Sequence, residues 1–273
     1  MKLTPSLFEK PWGRTTLPPP FGTLLMPDGR QGQTIGEIWF EPEDRAHLPL
    51  LVKYMFTGEQ LSVQVHPNDE QARMRGHRSG KNECWYIVDA EPGAKVALGT
   101  TMPLEGDALR KAALDGSIET MLAWWPVRTG DFLVVPAGTL HTIGAGISLI
   151  EFQQNIDLTY RLYDYGRPRE LHLDRGVGVA VARPHPGEYM LRVDHDGAVE
   201  QPLAHFPQFD TIFSRDIMLS RAHRAGREMW IVPLDGEVTC EGETVVSGDC
   251  LYVAPGDKLS ASADATALIG IAA

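Results

Sequence analysis

Disulfide chemistry has little to work with here: 273 residues hold three cysteines, Cys84, Cys240 and Cys250, and no C-x-x-C pair. An odd, widely spaced set gives neither a disulfide framework nor a thiolate metal site, and such cysteines pack as small apolar residues. No run approaches the roughly 20 apolar residues that a membrane span needs. The segment Met1-Lys-Leu-Thr-Pro-Ser6 has no apolar signal core, so a cytoplasmic chain with no membrane partner is expected. Basic charge is in deficit too, with 25 Lys and Arg against 36 Asp and Glu and a formal net charge of −11. Nucleic-acid binding wants the opposite balance. An anionic small molecule is not excluded, because Lys53, Lys81, Arg161 and Arg167 would outweigh the surplus locally if the fold gathers them.

What is abundant is punctuation. Gly, Pro and Asp turns separate short apolar runs, the pattern of an all-β sandwich or barrel. Candidate strands are Leu50–Phe56, Leu61–Val65, Glu83–Val88, Lys95–Gly99, Phe132–Val135, Ser148–Gln153 and Thr159–Leu162. One segment differs. Between Leu104 and Trp124, Leu109, Ala112, Ala113, Ile118, Met121 and Leu122 fall at helical spacing, and Gly116 divides them into two short helices. A further helix is expected near Leu171, weakened by Gly176 and Gly178. The last third of the chain is a faint internal repeat of the first two-thirds. Glu228-Met-Trp-Ile-Val232 echoes Glu83-Cys-Trp-Tyr-Ile87, and Gly248-Asp-Cys-Leu-Tyr-Val-Ala-Pro-Gly256 echoes Gly130-Asp-Phe-Leu-Val-Val-Pro-Ala-Gly138.

Chemistry concentrates in Leu61-Ser-Val-Gln-Val-His-Pro-Asn-Asp69. Strand side chains alternate faces, so Ser62, Gln64 and His66 share one face while Leu61, Val63 and Val65 share the other. A convergent polar face must be satisfied by something. Glu83, opening its strand, and His141, following the turn Pro136-Ala-Gly138, supply further ligand types. Gln64, His66, Glu83 and His141 form a mixed nitrogen and oxygen set that suits Zn²⁺ and tolerates Mn²⁺, Fe²⁺ or Co²⁺. Taken singly, each is as readily a hydrogen-bonded structural residue; their order and setting make the case. In the repeat, the place of His141 falls on Leu259, and no Q-x-H run precedes Glu228.

A series of segments then points one way: Lys10-Pro-Trp-Gly13, Ile35-Gly-Glu-Ile-Trp39, Leu51-Val-Lys53, Leu61 to Asp69, Lys81-Asn-Glu-Cys-Trp-Tyr-Ile87, Pro136-Ala-Gly-Thr-Leu-His-Thr-Ile-Gly-Ala-Gly146 and Thr159-Tyr-Arg-Leu-Tyr-Asp-Tyr-Gly-Arg167. Together they resemble the type I mannose-6-phosphate isomerases, in their short bacterial form, over roughly the first two-thirds of the chain. The resemblance implies a mainly β fold of two cupin-type jelly-roll barrels with short helices in and after the first. Residues 1–182 would form the metal-binding catalytic barrel. Residues 183–273 would form a second, ligand-free barrel beyond a hinge at Arg183–Gly187.

The resemblance also implies roles. Gln64, His66, Glu83 and His141 match the family's ligand positions, with one zinc per chain. Arg161 matches its catalytic arginine, and Lys81 resembles a substrate-contacting lysine. Ser62 and Arg167 match phosphate-binding positions. Lys53 and Asp157 join them as candidate substrate contacts. Glu151 lies in the apolar run Ile147–Phe152, where burial would raise its pKa toward that of a useful base; a salt-bridged carboxylate is the other reading. The expected activity is interconversion of mannose 6-phosphate and fructose 6-phosphate through an enediolate. The alternatives are a metal-bearing cupin that binds a sugar phosphate without turnover, and a cupin oxygenase.

Overall fold

The computed structural model describes residues 1–22, 33–44 and 46–273. The first half runs β1 (Thr4–Arg14), β2 (Ile35–Glu41), β3 (Leu50–Thr57), β4 (Val63–Val65), α1 (Asp69–Arg73), β5 (Glu83–Ala90), β6 (Lys95–Thr100), α2 (Gly106–Asp115), α3 (Ile118–Met121), β7 (Leu122–Pro126), β8 (Asp131–Val135), β9 (His141–Ile143), β10 (Ile147–Gln154), β11 (Tyr160–Tyr163), α4 (Leu173–Val179) and β12 (Met190–Arg192). The second runs β13 (Glu200–His205), β14 (Phe209–Ser214), α5 (Arg221–Ala225), β15 (Met229–Asp235), β16 (Val238–Cys240), β17 (Glu243–Val245), β18 (Leu251–Val253), β19 (Leu259–Ala261) and β20 (Thr266–Ala272). The fold is mainly β, as expected. Each candidate strand forms within a few residues of its expected ends. The helical stretch breaks at Gly116, which has a φ of 80° that few other residues adopt. Its far end differs from expectation, because Leu122 and Trp124 belong to a strand that pairs with β6.

Four sheets stack in layers. The order β1-β2-β3-β10-β5-β8-β12 makes the largest, and β11-β4-β9-β6-β7 faces it. Between them Met55, Trp85, Ile87, Leu133 and Leu149 meet Val96, Leu98 and Ile143 in one apolar core. The second half repeats this cupin-like arrangement with β13-β14-β20-β15-β18 facing β17-β16-β19. There Met229, Ile231 and Ile269 pack on Val238, Cys240 and Leu259. The two large sheets lie back to back: Val52, Phe56, Cys84, Phe132 and Phe152 share a cluster with Phe209, Phe213, Trp230 and Leu268. Helices α2, α3 and α4 cover the outer face of the sheet holding β4 and β11. Gly176 lets α4 come close, since a Cβ there would lie 2.6 Å from Leu162. The strand β12, beyond the expected boundary at 182/183, pairs with β8 of the first half. Among the described residues no helix is long and apolar enough to cross a membrane.

Strand registers correct the sequence echo by one residue. Glu83 pairs with Val135, and Met229 pairs with Val253. Val135 and Val253 hold the same place in the echoing glycine-to-glycine segments, so the structural counterpart of Glu83 is Met229, not Glu228. A one-residue slip turns a side chain to the other face. Glu228 accordingly bonds the Tyr252 hydroxyl at 2.8 Å, and Tyr252 packs against the cluster between the halves. The same logic matches Lys53 and Glu151 with Ile212 and Ile269, which pair across their strands as Lys53 and Glu151 do. Leu259 opens β19 as His141 opens β9. Every polar position the first half turns inward at these points is apolar in the second.

The back-to-back contact is tight at Gly270, where a Cβ would lie 2.7 Å from the Phe152 ring. Gly270→Ala is expected to cost about 1–3 kcal/mol through overpacking, read as a lower urea midpoint at unchanged slope. An unchanged midpoint would show that the two sheets give way freely there.

Candidate metal centre and active site

The polar end of the first half's interior is assembled by alternation. Gln64 on β4 pairs with His141 on β9. Glu83, Trp85 and Ile87 face inward from β5, while Cys84 and Tyr86 face the second half. Gly138, at φ 88°, turns the chain between β8 and β9, and its N–H donates to the His66 carbonyl at 2.8 Å. The turn that ends in His141 is thereby fastened to His66, the residue that follows β4. The His141 ring packs edge-on to Trp85, with centroids 5.5 Å apart.

His66, Glu83 and His141 offer donor atoms that all lie within 4.8 Å of one another, and all three are buried. His66 Nε2 lies 3.3 Å from Glu83 Oε2, and His141 Nε2 lies 3.4 Å from Oε1. Each imidazole sets its Nδ1 against a backbone carbonyl, of Leu158 and Thr139, at 2.9 Å. Donation there fixes the tautomer and leaves Nε2 as a lone-pair donor toward Glu83. Burial pushes His66 down to about 4, with the Lys81 ammonium adding to the effect, and burial lowers His141 as well. Both rings are therefore neutral near pH 7, as ligands must be. Glu83 is held well below the usual carboxylate range: burial opposes ionisation, but the Lys81 ammonium outweighs it. Gln64 stands beside the cluster, its amide nitrogen 3.1 Å from His141 Nε2 and its Oε1 accepting from Ser62 at 3.3 Å. Two neutral imidazoles and one carboxylate, with the Gln64 amide beside them, fit a divalent cation with mixed nitrogen and oxygen preferences.

Lys81 ties this cluster to a second carboxylate. Its ammonium donates to Glu83 and, at 2.9 Å, to Glu151 Oε1. Burial alone would lower the Lys81 pKa, but the Glu151 and Glu83 charges outweigh it and raise it. For Glu151, burial is the largest influence and pushes it up to about 7; Lys81 pulls it down and Glu83 pushes it up. Across the inner face of the large sheet, Trp39, Lys53, Glu151, Trp85 and Leu133 stand in one register row. Lys53 lies over the Trp39 ring at 4.1 Å and 3.8 Å from Glu37.

A cleft of about 160 Å³ opens onto these groups, at the small end of ligand sites and suited to a compact polar molecule. Its lining includes Ser62, Gln64, Lys81 and Glu151, with Asp157, Arg161, Arg169, Lys10, Trp12, Glu37 and Lys53. Most of the residues expected from sequence thus meet in one place. Arg167 does not line the cleft: its Nη2 donates to the Gln60 carbonyl at 2.7 Å and its Nε to Asp164 at 3.1 Å. Arg169 lines it, held by the same buried Asp164 through bonds of 2.6 and 2.7 Å.

Arg169, Glu37 and Lys10 are not singled out by sequence pattern. For Glu37 a signal existed, since a carboxylate between Ile35 and Ile38 in a buried strand needs partners. Lys10 provides one at 3.2 Å. Burial would raise the Glu37 pKa, but Lys53 and Lys10 lower it on balance.

No protein-family model matches the chain. Among curated proteins, mannose-6-phosphate isomerase ManA of Bacillus subtilis is 41% identical over 165 residues, 55% of this chain and 51% of that protein. The mannose-6-phosphate isomerase of Streptococcus mutans is 40% identical over 137 residues, 48% of this chain and 43% of that protein. The chain's match to these two spans about half their length. The putative mannose-6-phosphate isomerase YvyI of Bacillus subtilis is 33% identical over 222 residues, 69% of this chain and 70% of that protein. Among solved structures, the mannose 6-phosphate isomerase from Bacillus subtilis superposes with a TM-score of 0.78 at 25% identity, over 98% of both chains. A putative mannosephosphate isomerase from Archaeoglobus fulgidus gives 0.72 at 15% identity, over 99% of this chain and 96% of that one, a likeness of fold.

Replacing His66 and His141 together by Ala removes two of three converging donors, so bound divalent metal is expected to fall to background by elemental analysis. Glu228→Gln, which alters only the mis-registered echo of Glu83, is expected to keep full metal content. Metal kept by the double variant, or lost from Glu228→Gln, would contradict the ligand set.

Proposed function

Because the chain belongs to the mannose-6-phosphate isomerase family, we propose that it interconverts mannose 6-phosphate and fructose 6-phosphate. One divalent cation, zinc by preference, would be held by Gln64, His66, Glu83 and His141. The observation that carries this reading is the Lys81 ammonium joined to both Glu83 and Glu151, in a cleft also lined by Arg161 and Arg169. When bound, the metal supplies Lewis acidity toward sugar oxygens. Three unpaired, buried cysteines agree with work in the cytoplasm.

The reaction removes a proton from the carbon beside a carbonyl and returns it to the neighbouring carbon. It needs a base that both takes and gives a proton near neutrality. Glu151, pushed up to about 7 by its burial, has that property, and Lys81 Nζ orients its carboxylate. Arg161 keeps a cation beside the charge that grows on the enediolate oxygens. Its Nη1 donates to the Glu170 carbonyl, while its Nε is buried and has no hydrogen-bond partner among the described residues. Asp157 and Lys53 line the cleft as candidate contacts for the sugar hydroxyls.

For the phosphate, Ser62 and Arg169 provide a hydroxyl and a guanidinium. Arg167 and Arg169 share the Asp164 carboxylate, so Arg167 contributes from behind by fixing the carboxylate that aims Arg169.

The test is fructose 6-phosphate formation from mannose 6-phosphate, followed by a coupled assay with EDTA-stripped and zinc-loaded protein. Arg161→Ala is expected to lower kcat by about two to three orders of magnitude, as removal of one oxyanion-stabilising donor does. Arg169→Ala is expected mainly to raise KM, more than Arg167→Ala, and less with unphosphorylated mannose. Binding of the sugar phosphate without turnover would favour the non-catalytic alternative; an Arg161→Ala defect confined to KM would remove that residue from the chemistry.

A further inference from the structure

The second half offers no ligand to the site, yet one of its side chains reaches the segment that carries Lys81. Gln208 immediately precedes β14. Its Nε2 donates to Asp69 Oδ2 at 2.9 Å, and its Oε1 accepts from Asn82 Nδ2 at 3.0 Å. Both ends of the amide are therefore used, one on each side of the Gly80-Lys-Asn-Glu83 segment.

The groups it bridges hold that segment from both directions. Asp69 Oδ1 accepts from the Gly80 N–H at 2.7 Å and from Gln154 Nε2 at 2.9 Å. Gln154 Oε1 accepts from the Asn82 N–H at 3.0 Å, and Asn82 Oδ1 accepts from the Ala137 N–H at 2.9 Å. Asp69 is itself fixed in the first turn of α1, whose start carries a reciprocal cap between Asn68 and Gln71. The residues on either side of Lys81 are thus each tied to a carboxylate or amide that Gln208 touches. The Lys81 ammonium in turn joins Glu83 to Glu151. About half an ångström of slack in a supporting shell is enough to spoil such an arrangement.

We propose that Gln208 is a positioning residue for Lys81: the ligand-free half of the chain sets the lysine's place in the active site through the Gln208–Asp69–Asn82 bridge. The functional part of this inference rests on the isomerase reading above; the structural part does not. Gln208→Ala deletes both bonds. Gln208→Glu keeps the acceptor for Asn82 but sets a carboxylate against Asp69.

Two readouts test the idea. In hydrogen exchange, the Gly80 and Asn82 amides of Gln208→Ala should exchange at least about tenfold faster, the scale of one net hydrogen bond lost from the clamp. Amides of β15 and β20 should be unchanged. In steady-state kinetics, Gln208→Ala and Gln208→Glu should each lower kcat by about tenfold on the same scale, with KM nearly constant and zinc content intact. In a Lys81→Ala background, Gln208→Ala should add no further loss, because its effect passes through the lysine. Unchanged exchange at Gly80 and Asn82, or faster exchange spread evenly over both halves, would overturn the proposal whether or not the protein isomerises sugars. A Gln208→Ala loss that adds in full to that of Lys81→Ala would overturn the link to the lysine.

Discussion

The structure hangs on one buried carboxylate. Glu83 is 1% exposed and touches His66, His141 and the Lys81 ammonium. An ionised carboxylate removed from water costs several kcal/mol unless a partner replaces the lost hydration, and here the Lys81 ammonium is the partner that meets its charge. That requirement explains why Lys81 is clamped at the residues on either side of it. It also explains the state of Glu151, which shares the lysine with a neighbour of the same charge. One carboxylate ionises fully while the other is pushed up to about 7. The depressed carboxylate at the candidate metal centre and the raised one beside it are two outcomes of the same electrostatic arrangement.

The second half shows what this architecture becomes without such a group. Its sheets, registers and turns follow the first half, while Met229, Ile212, Ile269 and Leu259 replace Glu83, Lys53, Glu151 and His141. With apolar residues at these four points, that part of the interior closes as an apolar core. Its value lies on the outer face of its large sheet, which backs the strands bearing Lys53, Glu83 and Glu151. Phe152, beside Glu151, packs against Gly270 there. The strands bearing the candidate site are therefore buried on both faces, which suits a site that must keep its charges fixed.

Much of the site is legible in the sequence because strand alternation is a local rule. Gln64 and His66 had to share a face, and β-branched and aromatic runs between turn residues marked the strands. What escaped depends on tertiary or turn geometry. The family resemblance pointed to Arg167, but Tyr165 and Gly166 both adopt positive φ, at 53° and 78°. The chain reverses there and delivers Arg169 to the cleft instead. The echo of Glu83 in Glu228 looked like a shared strand position, yet cross-strand pairing moved it by one residue to the other face. Glu37 and Lys10 satisfy each other across β1 and β2, and no spacing within one strand announces such a pair.

One buried cluster around Glu83 is proposed as the metal centre, and turnover is proposed to require it. Titration of the metal-stripped chain with zinc, following mannose 6-phosphate turnover, tests it most directly. Activity is predicted to rise linearly and saturate at one equivalent per chain. Saturation at two equivalents, or turnover indifferent to metal, would contradict it.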